Sequence, residues 1–179
     1  MPADREGHTP AARQLYILRH AKSSWDDPGL DDHERPLAPR GMRAVGVMAE
    51  HVRRREIEPV LVLCSSARRT RETLAGVEPG GEWVIEPELY GADASTVVER
   101  LRRVPAEAPS VMLIGHNPAM QVLVLRLAAS DGAPGGADLE AVRNKFPTGA
   151  LATLRFECSW SELSSGCAQL TSFVRPKKL

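Results

Sequence analysis

The chain has 179 residues, 42% hydrophobic and 26% charged, with 23 basic and 23 acidic side chains and a formal net charge of zero. That length fits one compact domain with a sizeable core. The balanced charge provides no global field to attract nucleic acid or an anionic membrane, and no apolar stretch approaches the roughly 18 to 20 residues that span a bilayer.

Residues 1–13 open with MPADREGHTPAA, a polar, Pro-bearing stretch without the apolar centre of a secretory signal. It reads as a disordered lead-in to a single domain over residues 14–179. Cys64, Cys158 and Cys167 form no CxxC pair and no repeated spacing. So sparse and odd a set suits a reducing cytoplasm and argues against a disulfide framework or a zinc cluster.

Gln14–Arg19 reads as a short buried strand, and Ser23–Arg35, rich in Asp, Gly and Pro, as a loop. Pro39-Arg40-Gly41 opens a helix to about Arg55, with Ala44, Val45, Val47, Met48 and Val52 near helical spacing. Pro59–Ser66, PVLVLCSS, has the β-branched, apolar character of a parallel strand covered on both faces. A second helix is expected over about Arg68–Gly76, and EWVIEPELYG is expected to be a strand with a ragged end.

Ser95–Val104 is a predicted helix, and PSVMLIGHNP a buried strand ending in a turn. Pro118 fits the first turn of the helix expected over Ala119–Ala129. SDGAPGGA, Ser130–Ala137, reads as a flexible loop. Gly149–Glu157 and Cys167–Pro176 alternate as two late strands related as a hairpin at one sheet edge. No internal repeat or domain-sized linker is visible. Strands alternating with helices predict a three-layer α/β/α sandwich around a mostly parallel sheet with a mixed edge.

Three of these strands end in polar residues suited to an anion: Arg19-His20, then Ser65-Ser66 with Arg68 and Arg69 just beyond, then His116-Asn117. Ligands of open α/β sheets bind outside the carboxyl ends of the strands, so two histidines and a pair of arginines are expected to converge there. Guanidinium forks match phosphate oxygens. A neutral imidazole can attack phosphorus, and a protonated one can hold an oxygen as charge spreads in the transition state. Fixed cations of this kind remove the need for a metal, and no cofactor is expected.

With these residues in order, the sequence resembles the histidine phosphatase (phosphoglycerate mutase-like) superfamily, and within it the short SixA-like phosphohistidine phosphatase branch. The opening Arg-His-Gly signature stands here as LRHA, with Ala21 in the glycine's place; ERPLAPRG leads into the first helix. SSARRTRET has the family's Ser, Arg and Thr at four-residue steps as Ser65, Arg69 and Thr73, which selects Arg69 over Arg68. IGHNPAM supplies the second histidine, His116, and FPTGALATL resembles the branch's late strand entry. The likeness runs from about Leu15 to Pro176.

The resemblance implies a nucleophilic His20, with Arg19, Arg69 and His116 around the phosphate and Ser65 and Asn117 beside it. It also implies a glutamate from the middle of the chain as acid for the leaving group, Glu88 first and Glu86 second. The implied substrate is a phosphorylated protein, a phosphohistidine domain above all, or else a small phosphate ester, handled in the cytoplasm.

The acidic stretch Asp26–Glu34 has neither EF-hand spacing nor an HExxH helix and is expected to be a solvated loop at the mouth of the site. A cysteine phosphatase would need an arginine six positions after Cys64, where Thr70 stands. A serine hydrolase would need a GxSxG elbow, which is absent. A mutase of the same superfamily tends to be longer, and a module that only recognises phosphate has no use for a nucleophile.

Overall fold

A computed structural model describes residues 11–129 and 136–179. Its six strands form one sheet in the order β3-β2-β4-β1-β5-β6. They are β1 (Arg13–Arg19), β2 (Leu61–Ser65), β3 (Glu82–Glu86), β4 (Ser110–Gly115), β5 (Leu151–Phe156) and β6 (Gln169–Val174). β1, β2, β3 and β4 pair in parallel, while β5 runs antiparallel to both β1 and β6. The expected mixed edge is therefore the β5–β6 pair.

Period-two alternation divides the central strands between two cores. Leu15 and Ile17 of β1, Leu63 of β2 and Val111 and Leu113 of β4 enter one core. Tyr16 and Leu18, Val62 and Cys64, and Met112 and Ile114 enter the other. Helices α3 (Ala94–Arg102), α4 (Ala119–Leu127) and α5 (Gly136–Asn144) cover the first face. Helices α1 (Pro39–Arg54) and α2 (Arg68–Val77) cover the second. Both faces being covered, the parallel strands read as continuous apolar runs.

α5 departs from the sequence expectation, which placed no helix there. Its inward stripe is only Leu139 and Val142, too short a repeat to stand out, and it begins directly after a Gly- and Pro-rich stretch. Residues 130–135 of the expected flexible loop and residues 1–10 of the lead-in lie outside the described residues. Arg13, assigned to the lead-in, opens β1 instead.

α1 approaches the chain just after β1 very closely. A Cβ at Gly41 would lie 2.1 Å from the Lys22 carbonyl oxygen, so the residue must be glycine. Among the described residues no helix is long and apolar enough to cross a membrane.

Candidate active site

Register brings the three strand ends to one level. Arg19 pairs with Gly115, and Cys64 with Ile114, so Arg19, Ser65 and Gly115 end their strands side by side. His20 and His116 follow directly, their rings 5.1 Å apart and inclined at 54°.

The His20 backbone is fixed on two sides: its N–H donates to the Gly115 carbonyl at 3.0 Å, and its own carbonyl accepts from Gly149 N–H at 3.0 Å. Its ring Nδ1 lies 2.7 Å from the Ala21 carbonyl oxygen. A carbonyl only accepts, so Nδ1 carries the proton and Nε2 keeps its lone pair. Burial pushes the His20 pKa down to about 3, an effect to which the neighbouring His116, Arg69 and Arg19 add. The imidazole is therefore neutral at physiological pH, the form a nucleophile needs. Ala21 has no left-handed backbone; the positive-φ non-glycine residues described are Glu56 and Glu78. Alanine therefore meets no backbone strain in the signature glycine's place.

The four-residue steps of SSARRTRET have a structural cause at the end of β2 and on α2. Ser65 Oγ lies 2.7 Å from His116 Nε2. Thr73 Oγ1 accepts from the Ala21 N–H at 3.0 Å and donates to the Arg69 carbonyl at 2.7 Å. The end of β2 thus holds His116, and α2 holds the residue after His20. Arg69 is buried, whereas Arg68 turns to an exposed pair with Glu72 at 2.7 Å.

His116 was expected to act protonated, but burial first, and the Arg69 charge next, push its pKa down to about 4, with Asp32 opposing. Arg69 Nη2 faces His116 Nδ1 at 3.5 Å, which leaves Nε2 to donate to Ser65. His116 is therefore neutral until an anion arrives to favour its charged form. Arg19 Nη1 donates to the Phe146 carbonyl at 2.8 Å, and Asn117 Nδ2 donates to the same oxygen at 3.1 Å. Arg19 Nε, a buried donor, has no partner among the described residues.

The acidic loop is not simply solvated. Asp32 accepts from Arg69 Nη2 at 2.9 Å, from Arg35 Nη1 at 2.8 Å and from the Tyr90 hydroxyl at 2.7 Å. The Tyr90 hydrogen bond, with those to Arg69 and Arg35, holds its carboxyl well below the usual carboxylate range. His33 bonds Ser66 Oγ through Nε2 at 2.9 Å and meets the Tyr90 ring edge-on, and Tyr90 in turn stands edge-on to His116. Asp32, His33 and Tyr90 were not selected from sequence. A one-residue carboxylate in an acidic loop carries no local sign that it will fold back onto an arginine thirty-seven positions away.

Glu88 is not brought into this set. It is exposed on a short turn, Pro87–Leu89, and among the described residues its side chain has no hydrogen bond or ion pair. Glu86 is occupied by Arg100, whose Nε lies 2.8 and 2.9 Å from its two oxygens.

The molecule is an α/β protein whose mixed sheet gathers histidines and arginines at the carboxyl ends of its parallel strands. Residues 15–110 match the family model for the histidine phosphatase superfamily (branch 1), and the chain belongs to that superfamily. It is 38% identical over 162 residues to the uncharacterized protein Rv1276c of Mycobacterium tuberculosis (strain ATCC 25618 / H37Rv), covering 89% of this chain and 100% of that one. Among solved structures, it is similar to the putative phosphohistidine phosphatase SixA from Nakamurella multipartitia, with a TM-score of 0.83 and 31% identity over 93% of this chain and 98% of that one. The putative SixA from Agrobacterium tumefaciens has a TM-score of 0.76 and 31% identity over 92% and 98%. The likeness supports a hydrolase acting on phosphate bonds.

Proposed function

We propose that the protein removes phosphoryl groups through a covalent intermediate on His20, and that its substrate is a phosphohistidine side chain of a protein in the cytoplasm. The observation that carries this reading is the bond from His20 Nδ1 to the Ala21 carbonyl, which leaves a neutral Nε2 lone pair among Arg19, Arg69 and His116.

In the first step Nε2 forms a bond to phosphorus while the bond to the leaving nitrogen breaks, its electron pair going to that nitrogen. Arg19, Arg69 and His116 hold the three equatorial oxygens as charge spreads over them. In the second step water attacks phosphorus, the His20–phosphorus bond breaks, and orthophosphate departs as His20 regains its lone pair. Ser65 positions His116, and Asn117 shares an anchoring carbonyl with Arg19.

The state of the carboxylates favours a phosphoramidate over an ester. An alkoxide leaving group needs an acid to protonate it. Asp32 is held ionised, and among the described residues the exposed Glu88 side chain makes no hydrogen bond or ion pair with the histidines or arginines of the site. An imidazole leaving group can take its proton before the P–N bond breaks and so needs no such donor. The likeness to the two SixA structures supports the same substrate class.

The test is trapping. A phosphohistidine-bearing protein labelled in its phosphoryl group is mixed with this protein and quenched within milliseconds, with His20→Ala alongside. Label that is acid-labile, alkali-stable and absent from the variant is expected. Turnover surviving in His20→Ala would remove the nucleophile assignment.

A further inference from the structure

Beside the candidate active site lies a cavity of about 470 Å³ that shares Arg19 with it. Lys22 and Arg40 line it from the start of α1 and the loop before. Lys145, Arg175, Lys177 and Lys178 line it from the segment after α5 and the chain after β6. Among the described residues no Asp or Glu lines it.

This concentration is unusual in a chain whose net charge is zero. Several arginines elsewhere meet carboxylates: Arg35 with Asp32, Arg68 with Glu72 and Arg102 with Glu99 all lie within 2.8 Å. Among the described residues, none of the cavity's cations has such a partner within 4.0 Å. Assembling unpaired like charges from separate segments costs the fold self-repulsion. A surface needed only for solubility could intersperse acids here, as the chain does around Arg35, Arg68 and Arg102.

α1 increases the same field. Its first turn carries Arg40 and no acid, and no side chain caps it, although a helix start favours negative charge. None of the carboxylates of the Asp26–Glu34 loop lines the cavity, and Asp32 is committed to Arg69 and Arg35.

We propose that this cavity binds a compact polyphosphate anion, a second phosphate-class ligand separated from the one at His20 by the shared Arg19. Three features favour a small anion over an acidic protein face. The cations surround a bounded volume of the size that takes a small molecule. Arginine forks and lysine point charges stand together, which suits several phosphate oxygens at once. A broad acidic surface laid over both sites would also meet the carboxylates of the Asp26–Glu34 loop. The inference concerns binding and does not depend on turnover at His20.

Calorimetry with pyrophosphate tests it. Binding should weaken at least tenfold in Arg40→Gln/Arg175→Gln and measurably in Lys145→Gln, with the thermal midpoint of each variant no lower than that of the wild-type protein. Arg69→Gln, which removes the clamp of the neighbouring site, should leave the affinity within threefold. The reverse pattern, or an acidic peptide of equal charge binding as tightly, would overturn the proposal, as would no pyrophosphate binding at millimolar concentration. The source of the phosphate is read from KM in the wild-type protein. A substrate bearing a second phosphate with a KM at least tenfold lower, an advantage lost in the double variant, assigns the cavity to the substrate itself. Equal KM values alongside intact pyrophosphate binding assign it to a separate ligand.

Discussion

Asp32 and Arg69 are joined twice, by Arg69 Nη2 to the carboxylate at 2.9 Å and by Nη1 to the Asp32 carbonyl at 2.6 Å. The arginine proposed to clamp phosphate is thus oriented by a loop that also neutralises part of its charge. The two effects separate in Asp32→Asn, which removes the charge and leaves the backbone carbonyl. Because Asp32 is half exposed, the charge contributes little, about 1 kcal/mol or less. Vanadate should therefore bind up to about fivefold more tightly to Asp32→Asn. Weaker inhibition, measured on any chromogenic phosphate, would mean that the carboxylate is needed for orientation above all.

Thr73 joins α2 to the residue after His20. Thr73→Val keeps the volume but strips the buried Ala21 N–H of its acceptor, which costs about 1 to 3 kcal/mol. Urea unfolding should show that loss. Turnover should fall about tenfold or more as Ala21, and the carbonyl that sets the His20 tautomer, become free to shift. Unchanged turnover at reduced stability would confine Thr73 to a structural role.

The histidine pKa values set a stability profile. Folding lowers His20 to about 3 and His116 to about 4, from roughly 6.5 in the unfolded chain. Below that pH the unfolded chain binds protons that the folded one refuses, so their contribution is complete above about pH 6.5 and declines as pH falls towards 4 and 3. Each group gives a slope of up to about 1.4 kcal/mol per pH unit. Between pH 6.5 and 4.5 the unfolding free energy should fall, and His20→Ala should flatten the fall. An equal slope in both proteins would mean that His20 titrates normally.

Glu88→Gln should change turnover of a phosphohistidine substrate by less than about threefold, given its exposed position on the Pro87–Leu89 turn. A loss of a hundredfold or more, the scale of general acid catalysis, would bring Glu88 into the reaction and undercut the preference for a phosphoramidate.

What the sequence revealed and what it hid divide along a physical line. Arg19, His20, Ser65, Arg69 and His116 were legible because each is fixed to a strand end or helix start, and the sheet register carries those ends to one level. Asp32, His33 and Tyr90 were hidden because their partners lie far away in sequence and are reached through loops that have no periodicity. The second cavity was hidden for the same reason, since its cations come from separate segments. α5 was hidden by brevity, with only Leu139 and Val142 facing inward.

Arg19 and Asn117 both lean on the carbonyl oxygen of Phe146. Every residue type offers that same oxygen, so the brace itself does not depend on the Phe146 side chain, which is buried in the core against Phe173 for packing alone. What cannot change freely is the length of chain between α5 and β5. A deletion or insertion of one residue there would carry the oxygen away from both side chains, leaving every side chain proposed for catalysis present in a protein whose first arginine had lost its brace. Homologues are therefore to be compared across this stretch by spacing as well as by letters.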